Sequence, residues 1–169
     1  GGVKLYAASG INQTGGAITA DRLWTGTSGG LLIGGANNFG TLTEAFHPNG
    51  GTVTIRNRGD ITLPGAQNSF GTLTLTSDQG KISQTDAITV ATLVAQAATG
   101  IDLSNTSNNF TTLNGLSTTT GNIAIGDTGG FAIERDITAA TGTVALTSTG
   151  AITTGTTTVG SVVTPHGKI

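Results

Sequence analysis

Residues 71–90 read GTLTLTSDQGKISQTDAITV, and this stretch decides the fold. Apolar Leu73 and Leu75 alternate with Thr72 and Thr74, which is the pattern of a strand with one buried face. A polar loop at 77–80 then leads into a second short apolar run that begins at Ile82. We therefore predict that two short strands joined by a polar loop are the basic unit of the chain.

The same unit returns at short, regular intervals along the chain. It recurs as GTVTIRNRGDI at 51–61, GNIAIGDTGGF at 121–131 and GTVALTSTGAI at 142–152. A unit that returns so regularly is typical of a solenoid, in which each coil of the chain stacks on the previous one. The sequence thus predicts an all-β fold, a parallel β-helix, and right-handed coiling is expected because parallel crossovers have that hand.

A longer repeat, which we call the long repeat, groups the coils in threes. The first inward pairs of successive coils are predicted at Val3/Leu5, Leu31/Ile33, Val53/Ile55, Leu73/Leu75, Ile101/Leu103, Ile123/Ile125 and Val144/Leu146. One long step, from Val3 to Leu31, is followed by two shorter steps, and the same order returns from Leu73 onwards. We predict roughly seven coils of ~20–28 residues in a long repeat of ~70–71 residues. Its copies would be 3–72, 73–143 and, in part, 144–169, and matching segments such as NNFGTL (37–42) and NNFTTL (108–113) support them.

Composition excludes several classes of function. Only 9% of the 169 residues are charged and the net charge is −2, so no basic surface for nucleic acid is expected. No apolar run reaches the ~18–20 residues of a membrane-spanning helix, and the absence of cysteine excludes disulfides and thiolate metal sites. The chain opens with Gly1 and Gly2 rather than methionine. We expect one solenoid segment, 1–169, of a longer chain.

The coil motif resembles a known family of repeats. Residues 142–153 fit the pattern Gly-x-Φ-x-Φ-Thr-Ser-x-Gly-x-Ile-Thr, where Φ is apolar. This pattern is similar to the haemagglutinin-type repeats of bacterial filamentous surface adhesins, which are exported by two-partner secretion or as autotransporter passengers. The resemblance implies an extracellular, surface-bound protein with a structural or adhesive role. Its partners would be copies of itself and host or matrix glycans or proteins.

Three classes of function remain open on these grounds. The first is a rigid adhesive stalk, which would be neither an enzyme nor dependent on a cofactor or metal. The second is a carbohydrate-active lyase or hydrolase, which requires at least three charged side chains converging on one face. The third is an ice-binding face, which requires threonines on successive coils. The outward positions of the predicted coils are too mixed for such a face: Lys4, Leu32, Thr54, Thr74, Asp102, Ala124 and Ala145.

Few side chains stand out as candidate contact residues. Trp24 is a candidate for surface stacking, and Arg56 and Arg58 are charged candidates on one coil. The charges at 134–136 are predicted to be solvated loop residues. The three phenylalanines of the Asn-x-Phe-x-Thr-Leu segments are predicted to fill interior corners: Phe39, Phe70 and Phe110.

The two ends of the solenoid are expected to be complementary. A coil without a cap exposes unpaired strand edges and open core. The stacking candidates are Val3 and Leu5 at one end and Val159, Val162 and Val163 at the other. His47 and His166 lie far apart in predicted connections, and neither is expected to bind metal or to act in catalysis.

Overall fold

The computed structural model describes residues 1–44, 51–65, 67–154 and 162–163, and only the backbone of 44, 67–70 and 162–163. All regular structure in these residues is β-strand. The strands are β1 (Gly2–Ala7), β2 (Gly10–Asn12), β3 (Thr19–Thr27), β4 (Gly30–Glu44), β5 (Thr52–Asn57), β6 (Ile61–Leu63), β7 (Gln67–Ser77), β8 (Ile82–Gln84), β9 (Ile88–Ala97), β10 (Ile101–Leu103), β11 (Asn109–Thr118), β12 (Ile123–Asp127), β13 (Phe131–Ala139), β14 (Val144–Ser148), β15 (Ile152–Thr154) and β16 (Val162–Val163).

The strands form two parallel sheets that run along the solenoid. The larger sheet has the order β1-β3-β4-β5-β7-β9-β11-β13-β15, with β2 paired to β4 and β16 paired to β13. The smaller sheet has the order β14-β12-β10-β8-β6. From β5 onwards the chain passes from one sheet to the other and back in each coil, because parallel neighbours need a crossover, whereas β1, β2, β3 and β4 all belong to the larger sheet. The predicted parallel β-solenoid of about seven coils is confirmed.

Coil length is more uniform than predicted. In the smaller sheet Ile82 pairs with both Ile61 and Ile101, and the coils there contain ~19–22 residues. The two long predicted steps are wrong, because Val3 pairs with Leu23 rather than Leu31, and Leu73 pairs with Leu93 rather than Ile101. Leu73 belongs to the larger sheet, whereas Ile101 belongs to the smaller one. Leu31 likewise pairs with Ile11 and not with Val3, so each long step joins strands of two different columns.

One continuous core fills the interior of the solenoid. The six residues predicted to point inward are fully or almost fully buried: Leu73, Leu75, Ile101, Leu103, Ile123 and Ile125. The four predicted to point outward are half-buried or exposed: Thr72, Thr74, Asp102 and Ala124. Phe39 and Phe110 are buried in the core as predicted, and the side chain of Phe70 lies outside the described residues. Alternation of apolar and polar residues thus identified the buried face correctly.

The hydrogen bonds of two buried asparagines reproduce the long repeat. Asn37 Oδ1 accepts from Gln13 Nε2 at 2.9 Å, and Asn37 Nδ2 donates to Gln13 Oε1 at 3.0 Å. Asn108 and Gln84, the equivalent residues of the next copy, make the same two bonds at 2.8 and 3.0 Å. The exchange of bonds between neighbouring coils fixes their register, because each amide must meet its partner with donor facing acceptor at both atoms.

The two copies of this network lie on different corners of the solenoid. Gln13 follows β2, in the larger sheet, whereas Gln84 ends β8, in the smaller sheet. The coil spacing seen between Ile61 and Ile82 divides the long repeat into about three and a third coils. Each copy of the repeat is therefore rotated by about a third of a circle around the solenoid axis relative to the previous copy.

Close stacking of the loops makes certain glycines irreplaceable, which we expect to see as a loss of stability. Gly121 has φ of 79°, and a Cβ there would collide with the carbonyl oxygen of Thr99 on the neighbouring coil. We expect Gly121→Ala to lower the free energy of unfolding by at least about 2 kcal/mol, because backbone strain of ~1–2 kcal/mol adds to the clash. Gly16 is the matched control, because it has φ of 70° and open space around its Cβ position. Urea unfolding measures the stability of both variants. An equal loss of stability in Gly16→Ala and Gly121→Ala would contradict this explanation.

Candidate functional site

Trp24 lies on the outer side of β3 and packs across the coils. Its ring covers the backbone of Gly2 so closely that a Cβ on Gly2 would collide with the indole. The ammonium of Lys4 lies 5.1 Å from the centre of the ring, which is cation–π distance. Trp24 is half-buried in this position. The ring is thus held from two sides by groups of the first coil, which leaves only part of it for an external contact.

Tyr6 is an exposed aromatic residue that sequence reasoning missed. Its side chain is 59% exposed, and its ring lies against Gly26, where a Cβ would come within 2.7 Å of it. Alternation in β1 could have identified it, because Val3 and Leu5 point inward and every second residue must point outward. Tyr6 and Trp24 therefore form an aromatic strip on the outer surface of the first two coils.

Arg56 and Arg58, the two predicted contact arginines, bind the neighbouring coil. Arg56 Nε donates to both carboxylate oxygens of Asp78, at 3.0 and 3.2 Å. Arg58 Nε donates to Gln79 Oε1 at 3.0 Å. Both pairs are exposed and join residues that are one coil apart in sequence, so they link one coil to the next. Their side chains are already engaged within the fold, although an exposed ion pair such as Arg56–Asp78 contributes only ~0.2–1 kcal/mol.

The charges at 134–136 lie in a strand and not in a loop, so that prediction is wrong. They belong to β13, where three residues stand between the buried Ile133 and Ile137. The paired positions in β11 are Leu113 and Leu116, which have two residues between them. The strand bulges because it has one residue more than its neighbour.

A groove opens beside this bulge on the outer face of the larger sheet. It has a volume of about 750 Å³ and runs across β9, β11 and β13. We call it the bulge groove; its side chains include Val94, Gln96, Asn114, Ser117, Arg135 and Asp136. Ligand sites in proteins are usually concave and of ~300–1,000 Å³. The bulge groove is in that range, and no feature of the sequence alone predicted it.

A column of threonines runs along the same face, towards the N-terminal end. Thr52, Thr72, Thr92 and Thr112 are paired in register on four successive coils. Thr54 and Thr74 form a shorter column beside them. The predicted mixed outward column is wrong, because its members belong to both sheets; Asp102, for example, pairs with Ser83. The outer face of the larger sheet therefore carries an uncharged threonine array, although the predicted columns had excluded one.

Four of the five residues predicted to take part in end-to-end stacking lie in the part of the chain that the structure describes. Val3 and Leu5 are half-buried and pack against the end of the core. Val162 and Val163 pair through their backbones with β13, at Ile137 and Thr138. Val159, His47 and His166 lie outside the described residues.

The described ranges contain neither a cluster of metal-binding side chains nor a helix that could span a membrane. The residues of 1–44, 51–65, 67–154 and 162–163 contain no group of three or more histidine, cysteine, aspartate or glutamate side chains placed to hold a metal ion. The same residues contain no helix with the length and hydropathy needed to cross a membrane.

Comparison with known proteins identifies one related family model. Residues 50–117 match a family described as repeats of unknown function (DUF5649), which is about two-fifths of the 169 residues. The matched stretch is close in length to one copy of the long repeat. No curated protein and no solved structure matches the chain. The match supports a repeat protein and leaves its activity to be inferred from the surface.

Proposed function

We propose that the chain is a rigid structural and adhesive segment of a secreted bacterial surface filament or adhesin, and not an enzyme. The observation that carries this proposal is the unbroken core, which runs in parallel register through about seven coils. At ~4.8 Å per coil, the stack is a rod of roughly 30–35 Å. Neighbouring coils stabilise one another, so such a rod can project a binding surface away from a cell. The resemblance to filamentous adhesin repeats points to the same role.

The ends of the rod support a chain of stacked units. The spacing from Val3 to Ile11 in the first coil equals the spacing from Val144 to Ile152 in the last. Ile11 is only partly buried, and Ile152 is 41% exposed. Open apolar ends with unpaired strand edges favour the addition of another coil. That coil would come either from the same polypeptide or from a second copy stacked head to tail, which gives an open fibre.

We expect sedimentation velocity to show association that grows with protein concentration. Leu5→Lys places a charge at the open end of the core and should abolish the association, because strand edges carrying lysine resist pairing. Thr54→Lys is the control on the side of the rod, where stacking is not affected. A parent chain that stays monomeric at high concentration would eliminate self-stacking and leave the covalent stalk.

The adhesive role can be tested with beads that carry the intact chain. Beads coated with the parent should attach to a surface of extracellular-matrix proteins and glycans more than beads coated with albumin. Antibodies against the chain should also label intact cells of the bacterium that produces it. Labelling only after the cells are broken open would overturn the surface location.

The threonine column favours ice binding as a second candidate. The four threonines are held ~4.8 Å apart by the sheet and carry no charge. A rigid array of hydroxyl and methyl groups is suited to an ordered layer of water. Thermal hysteresis of the intact chain would support this function if Thr92→Tyr abolished it and Ala145→Tyr, on the other sheet, did not. Absence of hysteresis in the parent would remove the candidate.

A further inference from the structure

The bulge groove arises from a progressive widening of three neighbouring strands. One residue, Val94, stands between the buried Leu93 and Ala95 of β9. Two residues stand between the paired positions of β11, and three stand between those of β13. Each coil thus adds one outward residue at the same place. Bulges that re-aim side chains are common beside functional sites, and this stack of bulges forms one wall of the groove.

Gly115 permits the widening. It has φ of 91°, a backbone conformation that residues with a side chain rarely adopt. Arg135 lies directly above it, because its Cβ and Cδ would be at ordinary van der Waals distance, 3.8 and 4.0 Å, from a Cβ at Gly115. The aliphatic part of the arginine therefore rests on the glycine of the previous coil, and the residue lies at the rim of the groove.

Arg135 is the arginine of the bulge groove, and its guanidinium is not engaged within the described part of the fold. It is exposed and makes no hydrogen bond or ion pair with the residues that the structure describes. Arg56 and Arg58, by contrast, are bound to the next coil. A guanidinium presents five N–H donors in a fixed plane, so Arg135 is available to a ligand in the groove.

The chemistry of the lining defines the class of ligand. Arg135 offers donors, and the amides of Gln96 and Asn114 offer both donors and acceptors. The acidic residues on either side of Arg135 leave no surplus positive charge to attract a polyanion. Val94 adds an apolar patch. These conditions are met by a ligand that carries no net charge and has apolar C–H faces. Such a ligand must also donate and accept hydrogen bonds at closely spaced positions.

We propose that the bulge groove binds a neutral oligosaccharide, with Arg135 as its main hydrogen-bond donor. This inference rests on the proposed adhesive function, to which it adds a site and a ligand class. Sugar hydroxyls both donate and accept hydrogen bonds, and a pyranose ring presents C–H groups that can contact Val94. The volume of about 750 Å³ is sufficient for a short oligosaccharide.

The test is binding of the intact chain to a printed array of oligosaccharides. Neutral probes are cellotetraose, chitotetraose and mannotetraose; anionic probes are a heparin tetrasaccharide and tetragalacturonate. We expect binding to at least one neutral probe and at least a tenfold loss of affinity in Arg135→Ala. Ser117→Tyr fills the groove and should give a similar loss. Arg58→Ala removes an arginine outside the groove and should bind like the parent.

Several results would overturn the proposal. One is binding to no neutral probe, and another is binding to anionic probes alone. The third is a neutral probe that Arg135→Ala and Ser117→Tyr bind as tightly as the parent does. Circular dichroism must show that each variant is folded. The bead assay separates this proposal from the proposed function. Beads carrying Arg135→Ala that still attach to matrix would remove the groove and keep adhesion, whereas sugar binding without bead attachment would keep the groove and remove adhesion.

Discussion

Ile123→Asp is expected to unfold the solenoid. Ile123 is fully buried in β12, between Ile101 and Val144 of the adjacent coils. A carboxylate at this position would have no cationic partner inside the core, and burial of an unpaired charge is among the most destabilising changes known. We expect a loss of about 5 kcal/mol or more, which is comparable to the whole stability of many domains.

The control for this prediction is a carboxylate on the opposite face of the same sheet. Ala145 is exposed and pairs with Ala124, so Ala145→Asp places its charge in water. We expect that variant to stay within about 0.5 kcal/mol of the parent. Urea unfolding followed by far-ultraviolet circular dichroism gives both values. Equal midpoints for Ile123→Asp and the parent would contradict the assignment of this position to the interior.

The second large effect is expected from Asn108→Ala. The Asn108 side chain is fully buried, and its Oδ1 accepts from Gln84 Nε2 and from the backbone N–H of Ile88, both at 2.8 Å. Its Nδ2 donates to Gln84 Oε1 and to the carbonyl oxygens of Leu103 and Gly126 at 3.0, 2.9 and 3.1 Å. Removal of the amide leaves backbone groups of three coils without partners. Since each such buried group costs ~1–3 kcal/mol, we expect a loss of about 3–5 kcal/mol.

Two further variants make the test of Asn108 specific. Asn109→Ala changes the adjacent exposed residue and should have little effect on stability. Asn37→Ala removes the corresponding amide of the first copy and should be destabilising to a similar degree, because Asn37 has equivalent partners in Gln13, Ile18, Ile33 and the Arg56 carbonyl oxygen. Stability close to that of the parent in both alanine variants would show that these amides do not hold the coils together.

Strand alternation was sufficient to predict the fold class and the core. An inward residue such as Leu73 is recognised from its own neighbours in sequence, because the side-chain period of a strand is two. Which strands stack is a different question. The strand at Ile101 looks like the strand at Leu73, but the structure pairs Leu73 with Leu93. Strands of different faces share the same alternation, so resemblance between two strands does not show that they stack.

The bulge groove could not be predicted for a related reason. A bulge is a difference in residue count between two paired strands, so it becomes visible only once the pairing is known. In the sequence, Arg135 is one of three adjacent charged residues, and nothing there indicates which way its side chain points. Arg56 and Arg58 were equally ambiguous, and only the register places Asp78 and Gln79 beside them. Charged surface residues therefore acquire a role only from the coil above or below.

Each copy of the long repeat is rotated by about a third of a circle relative to the previous copy. This rotation has a consequence for genetic exchange between copies. Unequal crossing-over between two copies deletes or duplicates one long repeat and joins strands that already suit one another, so the recombinant chain keeps a continuous core. The rod then changes length by about 16 Å, which is three and a third coils at ~4.8 Å each. Every feature beyond the junction also swings to another side of the rod. A lineage could in this way re-aim a binding surface without a single point mutation, and three successive exchanges would return it to its original direction.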